Sequence, residues 1–321
     1  MQETDTVLPF QLEESDIKGR LGVVSNSVTE ILRNKNYPAV ICKIVAEACV
    51  LTSLIGQSMD LRWKLSLQIR GKGPLKLIAT DYFNFGSNDD NFRIRCHVSF
   101  DKKVTPAVNQ EFKELIGEGY FAIIIDEGAG KEPYQGITPL RGDSLTECAE
   151  NFFHQSEQLP TRFSIKIHEE NIDSDKQIVK AGGIMLQYLA KGSEALKKED
   201  QMDNEDFSSA DFLSGNASEN WKRVNLFLDT LDSDEFFDPK ISDEALLIYR
   251  LFNEEKPTVF EKRRIQFGCT CSPDKVRQTM SIYSSSDIKK MTNEAGKVTA
   301  ECQFCEAFYS FDPEDLGMDS N

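Results

Sequence analysis

The chain has 321 residues, 40% of them hydrophobic, and a net charge of −16. That length favours two domains with a sizeable core, and the acidic balance argues against a broad nucleic-acid surface, which needs a positive field to gather phosphates. Residues 1–20 hold no apolar run behind a basic start, so no signal peptide is expected. The most apolar stretch, residues 41–55, is broken by Lys43 and Glu47 and is short for a bilayer span. The expectation is a soluble cytoplasmic protein with no membrane partner. In a reducing cytosol its eight cysteines point to metal, redox chemistry or burial rather than structural disulfides.

The spacing predicts helices over about 28–32 and 39–56, with Pro38 opening the second. Val40, Ile41, Ile44, Val45, Ala48, Leu51 and Ile55 recur at three and four residues as one buried stripe. Cys42 and Cys49 flank it and read as small buried hydrophobes, since no second pair or histidine gives them a ligand spacing. Trp63, Leu65, Leu67 and Ile69 alternate with polar residues; beyond the turn Gly71-Lys72-Gly73-Pro74, Leu75, Leu77 and Ala79 resume, a hairpin. Phe92, Ile94, Cys96 and Val98 form another strand, with Cys96 in the core and His97 on the opposite, surface side.

Residues 120–125 read as a central strand, and the glycines near 128–130 as the start of a loop through Leu140. No G-x-x-x-x-G-K-[ST] pattern follows, so this is no phosphate loop. Ser144 caps a helix to about Gln158, with Glu147 closing a capping box and Leu145, Cys148, Ala149, Phe152 and Phe153 facing inward. Phe163, Ile165 and Ile167 alternate again. Residues 178–189, interrupted by Gly182-Gly183, read as a strand pair or bent strand. Runs of strands not regularly interleaved with helices give an α+β class, a mixed sheet-and-helix core domain over residues 1–192.

Residues 193–262 are assigned to an acidic insert and helical linker. Residues 193–220 are rich in Asp, Glu, Ser and Asn and poor in apolar side chains, the composition of a solvated linker. Trp221, Val224, Leu228 and Leu231 then share one helical face; Asp232 and Glu235 cap a short turn ended by Pro239. Ser242 is expected to cap a helix carrying Leu246, Leu247, Ile248, Tyr249, Leu251 and Phe252. A helix apolar over most of its girth must be buried against something. Trp221, Val224, Leu228, Leu247, Ile248, Leu251 and Phe252 are the candidate apolar surface of the linker.

Residues 263–321 carry the motif that holds the most chemistry: Cys269-Thr270-Cys271 and Cys302-Gln303-Phe304-Cys305, with thirty residues between. Two close pairs around one compact loop supply four thiolates for tetrahedral zinc, one Zn²⁺ per chain. Lys262, Arg263, Arg264, Lys275 and Arg277 are near enough in sequence to offset the site's negative charge. Structural zinc contributes about 10–16 kcal/mol, while a whole domain is stable by about 5–15 kcal/mol. A module this small, with little core of its own, therefore depends on the metal. Oxidation of the thiolates would remove the ligands, so the spacing admits either a static zinc-stabilised binding module or a reversible redox sensor. Catalysis is not expected: His97, His154 and His168 form no metal pair or nucleophile dyad, and four sulfurs close the zinc shell. From residue 262 onward eight Lys/Arg face nine Asp/Glu, which is no basic groove for nucleic acid.

The sequence resembles the heat-shock protein 33 family of redox-regulated bacterial chaperones over nearly its whole length. The resemblance is carried by FGCTCS at 267–272, ECQFC at 301–305 and FDPEDL at 311–316. It is carried equally by YQGITPL at 134–140, QSEQLPT at 155–161, AGGIMLQ at 181–187 and LIYRLF at 247–252. What the resemblance implies is an ATP-independent holdase, zinc-bound and inactive when reduced. Disulfides Cys269–Cys271 and Cys302–Cys305 would release zinc on oxidation, unfold the module and linker, and yield a homodimer that holds unfolding client proteins. Two departures stand out: Glu306 occupies a position where members commonly have Gly, and the acidic insert is longer than usual.

Overall fold

The computed structural model describes residues 4–59, 63–84, 91–104, 110–128, 130–173, 176–189, 213, 215–238 and 243–317. They fall into two compact units, Met1–Phe267 and Gly268–Asn321.

In the first unit β1 (Thr6–Leu12) and β2 (Ile17–Val23) form a hairpin, followed by α1 (Ser25–Leu32) and α2 (Ala39–Ser58). Strands β3 (Lys64–Gly71), β4 (Leu75–Phe83) and β5 (Asn91–Phe100) lead to α3 (Phe112–Ile116), β6 (Gly119–Asp126), β7 (Tyr134–Pro139) and α4 (Leu145–Phe152). The long hairpin of β8 (Thr161–Asp173) and β9 (Lys176–Tyr188) precedes α5 (Asn216–Asp229), α6 (Ser233–Phe236) and α7 (Glu244–Phe252). Short strands β10 (Pro257–Val259) and β11 (Arg263–Phe267) end the unit. One mixed sheet runs β7-β6-β3-β4-β5-β11-β1-β2-β9-β8, with β10 also on β1. The class is α+β, as the sequence implies.

Alternation along the strands sends neighbouring side chains to opposite faces. Val7 joins the main core, with α1, α2, α4 and the inner faces of β3 to β5. Leu8, Phe10 and Leu12 face the other way, with Ile17, Leu21, Ile184, Leu186 and Tyr188, into a second core closed by α5, α6 and α7. The β1-β2-β9 part of the sheet is therefore buried on both faces.

Several expectations change in the folded chain. Helix α2 is buried on nearly every side rather than along one stripe, because it lies under the centre of the sheet. Among the described residues it is the one helix long and apolar enough to cross a membrane, and it is a core helix. Strand β6 is next to the sheet edge, not central. Residues 134–139, expected as loop, form the edge strand β7, where an outward-facing pattern of exposure suits turn-like residues. Ser144 does cap α4, accepting from the Glu147 amide at 3.1 Å, but the Glu147 carboxylate returns to the Asp143 amide at 2.7 Å. The helix then widens into a π turn over Phe153–Glu157. Gly182 is glycine because a Cβ there would collide with the Phe236 ring of α6 and the Gly22 carbonyl. Most of the acidic stretch, like Pro239 and Ser242, lies outside the described residues, but residues 216–220 open α5 rather than ending a linker. The α7 cap is Asp243, which accepts from the Ala245 amide at 3.1 Å.

Candidate metal centre

The second unit contains α8 (Pro273–Met280), α9 (Ser285–Met291) and a hairpin of β12 (Val298–Glu301) with β13 (Phe308–Phe311). Its helices start where side chains cap them: Ser272, followed by Pro273, accepts from the Lys275 amide, and Ser284 from the Asp287 amide. Its buried apolar core is small: Ile288, Val298, Phe311 and Leu316, with Val276, Met280 and Tyr309 partly buried.

The four cysteines converge at one end of this small fold. Cys269 and Cys271 precede α8; Cys302 and Cys305 occupy the turn joining β12 to β13. All four sulfurs lie within 4.8 Å of one another, and none of the four is in a disulfide. The Cys269 and Cys302 sulfurs are 3.7 Å apart, and those of Cys271 and Cys305 3.3 Å. A tetrahedral shell with metal–sulfur bonds of about 2.3 Å requires sulfur–sulfur edges of about 3.8 Å. The residues present therefore fit a four-thiolate ion. Burial, and after it the neighbouring cysteine thiols, holds the Cys271 and Cys305 thiols above their ordinary range. A bound cation reverses that, because it favours the deprotonated ligand.

The knuckle is closed by backbone bonds, from the Cys302 amide to the Ala307 carbonyl at 2.9 Å and from the Glu306 amide to the Cys302 carbonyl at 2.7 Å. Glu306 takes φ +59°, the left-handed conformation that glycine adopts without strain. The turn thus takes a conformation that favours glycine although the residue is not glycine. Two of the cations expected to offset the cluster have other partners: Lys262 pairs with Asp243 at 2.8 Å and with Glu244, and Arg277 with Asp274 at 2.8 Å while covering the Phe311 ring.

Tyr309 is a site residue that sequence reasoning missed. Its hydroxyl donates to the Cys271 sulfur at 3.1 Å, and that bond holds the phenol up at about 12. The signal was its place on β13, four residues after Cys305. The other cysteines are buried in the first unit, where burial pushes the Cys148 thiol up to about 12 and the Cys96 side chain, with burial, raises Cys49. They are inert thiols in this state. His97 and His154 are half-buried and His168 exposed.

Each candidate linker residue lies in the second core of the first unit. Trp221, Val224 and Leu228 from α5, and Leu247, Ile248 and Phe252 from α7, are buried against the sheet, and Leu251 is partly buried beside them. Phe252 stacks on Phe10, ring centroids 5.9 Å apart. Leu246 and Tyr249 remain exposed, so α7 is not covered all round. A polar clasp unforeseen in the sequence ties this cap down. The carboxylate of Glu255, 1% exposed, accepts from Arg223 Nε at 2.7 Å and from the Ser15 hydroxyl, while Lys256 pairs with Glu14.

The family profile described as Hsp33 protein matches residues 5–312. The chain belongs to the Hsp33 family. It is 30% identical over 314 residues to the 33 kDa chaperonin of Caulobacter vibrioides, covering 96% of this chain and 95% of that one. It is 29% identical over 316 residues to the 33 kDa chaperonin of Proteus mirabilis, covering 98% and 96%. Its fold is similar to the crystal structure of the Hsp33 homologue of Thermotoga maritima, with a TM-score of 0.75, 19% identity, and coverage of 98% and 97%. Membership makes the chain a member of a chaperone family, and the four-cysteine cluster is its metal-binding candidate.

Proposed function

We propose that this chain is a redox-regulated, ATP-independent holdase whose switch is the four-cysteine cluster. Cys269, Cys271, Cys302 and Cys305 hold one Zn²⁺ in the reduced state, and the ion supplies most of the folding energy of the small second unit. Peroxide takes two electrons from each thiolate pair and leaves as water or hydroxide, while the disulfides Cys269–Cys271 and Cys302–Cys305 form. A disulfide sulfur no longer ligates zinc, so the unit loses the interaction that folds it. Unfolding there frees the segment running back through β11 and β10 to α7. The cap of α5 to α7 then leaves the apolar β1-β2-β9 face, which holds unfolding client proteins as a homodimer. The domain division goes with this scheme: a core over 1–192, a linker over 193–262 and a switch over 263–321.

The observation that carries the reading is the meeting of four cysteine sulfurs within 4.8 Å in a unit with only four buried apolar side chains among the described residues. A core that small leaves stability to the metal. The net charge of −16 would keep an opened form in solution. The test is to treat zinc-loaded protein with peroxide at raised temperature, following zinc with a chelating dye and a thermally aggregating client by light scattering. Zinc loss and suppressed aggregation are both expected, each reversed by a thiol reductant. Zinc loss without suppression would leave a constitutive zinc-stabilised binding module.

A further inference from the structure

Strand β11 is inserted into the sheet, not appended to it. Among the described residues it is the sole link between β5 and β1. It runs parallel to β5, with Ile265 opposite Phe92 and Phe267 opposite Ile94, and antiparallel to β1, with Arg264 opposite Thr6. The Ile265 amide donates to the Asp5 carbonyl at 2.9 Å. Upstream, β10 covers Phe10 to Leu12 of the same β1 edge. Only Ile265 of the five β11 side chains is fully buried, and Gly268 alone separates the strand from Cys269.

Withdrawing β11 would bare two facing strand edges about 9–10 Å apart, twice the ordinary interstrand spacing. The flanks would not simply close, because α2 packs against β3, β4 and β5 on one side and β1, β2 and β9 on the other. A cavity of about 520 Å³, lined by Asp5, Asn26, Glu30, Ile265 and Phe267 among others, already lies beside the strand.

We propose that this slot, once vacated, receives an extended segment of an unfolded polypeptide as a replacement strand. The proposal deepens the holdase reading and rests on it. Backbone pairing to two edges is indifferent to sequence, which suits a binder of many unfolded chains. A guest that copies the present occupant runs parallel to β5 and antiparallel to β1. Its side-chain requirement is one apolar residue inward, as Ile265 now supplies. Basic residues before the inward one are favoured, because Arg263 and Arg264 precede Ile265 in the present occupant, Arg263 lies over the Phe92 ring at 5.9 Å, and the chain carries −16 overall.

The probe is a fluorescent synthetic peptide spanning residues 260–267, offered to the full-length protein in three states: reduced and zinc-loaded, oxidised and zinc-free, and reduced but stripped by a chelator. Binding at least tenfold tighter is expected in both metal-free states, together with regained hydrogen-exchange protection in β1 and β5. A peptide N-methylated at the Ile265 position keeps every side chain but loses the bond to Asp5, and should bind at least tenfold more weakly. Equal binding of the methylated peptide, or β1 and β5 amides that stay protected without metal, would overturn the slot. Refusal of the peptide together with concentration-dependent dimerisation that protects β5 would overturn it too, assigning the slot to a second copy's own strand. Zinc release and client scattering, recorded on the same samples, judge the holdase reading separately, and the chelated arm tests the slot without oxidation.

Discussion

Replacing Phe252 with alanine should loosen the cap without touching the metal. The ring is fully buried and stacks on Phe10 at an interplanar angle of 24°. It belongs to the second core, distinct from the cluster around α2, so its loss falls on the docking of α5 to α7. Truncating a buried phenylalanine costs about 3–5 kcal/mol. If undocking is a separate opening, its equilibrium shifts by roughly a hundredfold to a thousandfold or more at that cost. The assay is native-state hydrogen exchange on the reduced, zinc-loaded variant, with client light scattering alongside. Amides of α5 and α7 should exchange faster by about that factor while α2 and β3 to β5 keep their protection. The reduced variant should suppress aggregation without oxidant. Equal acceleration in α2 would refute a separately opening cap, and acceleration without suppression would refute a client role for the face it covers.

Changing Cys302→Ser should weaken zinc binding and partly unfold the second unit even when reduced; unchanged metal affinity by competition with a chelating dye would contradict the ligand assignment. Glu306→Gly relieves a left-handed non-glycine residue and should stabilise the zinc-loaded unit by about 1 kcal/mol, read as its thermal or chelator-driven unfolding; no change would mean that side-chain contacts of Glu306 repay the strain. Tyr309→Phe removes the hydroxyl bonded to Cys271, so the thiolate-to-metal charge-transfer bands of the Co²⁺-substituted protein should shift; unmoved bands would show that the contact does not reach the ligand. Burial would raise the Glu255 carboxyl, but the hydrogen bonds from Arg223 and Ser15 together outweigh it and hold it below the ordinary range. That contribution is full above the unfolded value of about 4.3 and is lost as pH falls through the lower folded value. Acid should therefore loosen α5, seen in Trp221 fluorescence. Asp5, Glu47 and Glu150 are shifted up by burial and act in the opposite sense, so the difference between wild type and Glu255→Gln is the quantity to measure. Identical acid profiles would remove the clasp from the account.

Local chemistry made much of this protein legible. The hairpin of β3 and β4 follows from alternation either side of a glycine turn, and α2 from three-and-four spacing. Ser144 and Asp232 announce their helices because a capping side chain meets an amide only a few residues away. The cysteine cluster could be read because thiolates at close spacing have few uses other than a metal. Where partners are far apart in the chain, nothing local marks them. Glu255 and Ser15 are separated by 240 positions, and an acidic residue in a charged run looks like solvated surface until the fold closes over it. Tyr309 reads as one more β-strand aromatic.

The sequence by itself determined the four cysteines that could hold a metal, the apolar faces of α5 and α7 and the α+β class, since each depends on residue chemistry at short range. Only the tertiary structure decided that β11 lies between β5 and β1 and that α5 to α7 close the β1-β2-β9 face. Five residues with one buried side chain cannot choose their neighbours alone; the choice belongs to the two strand edges, whose amides and carbonyls must be paired once they leave water.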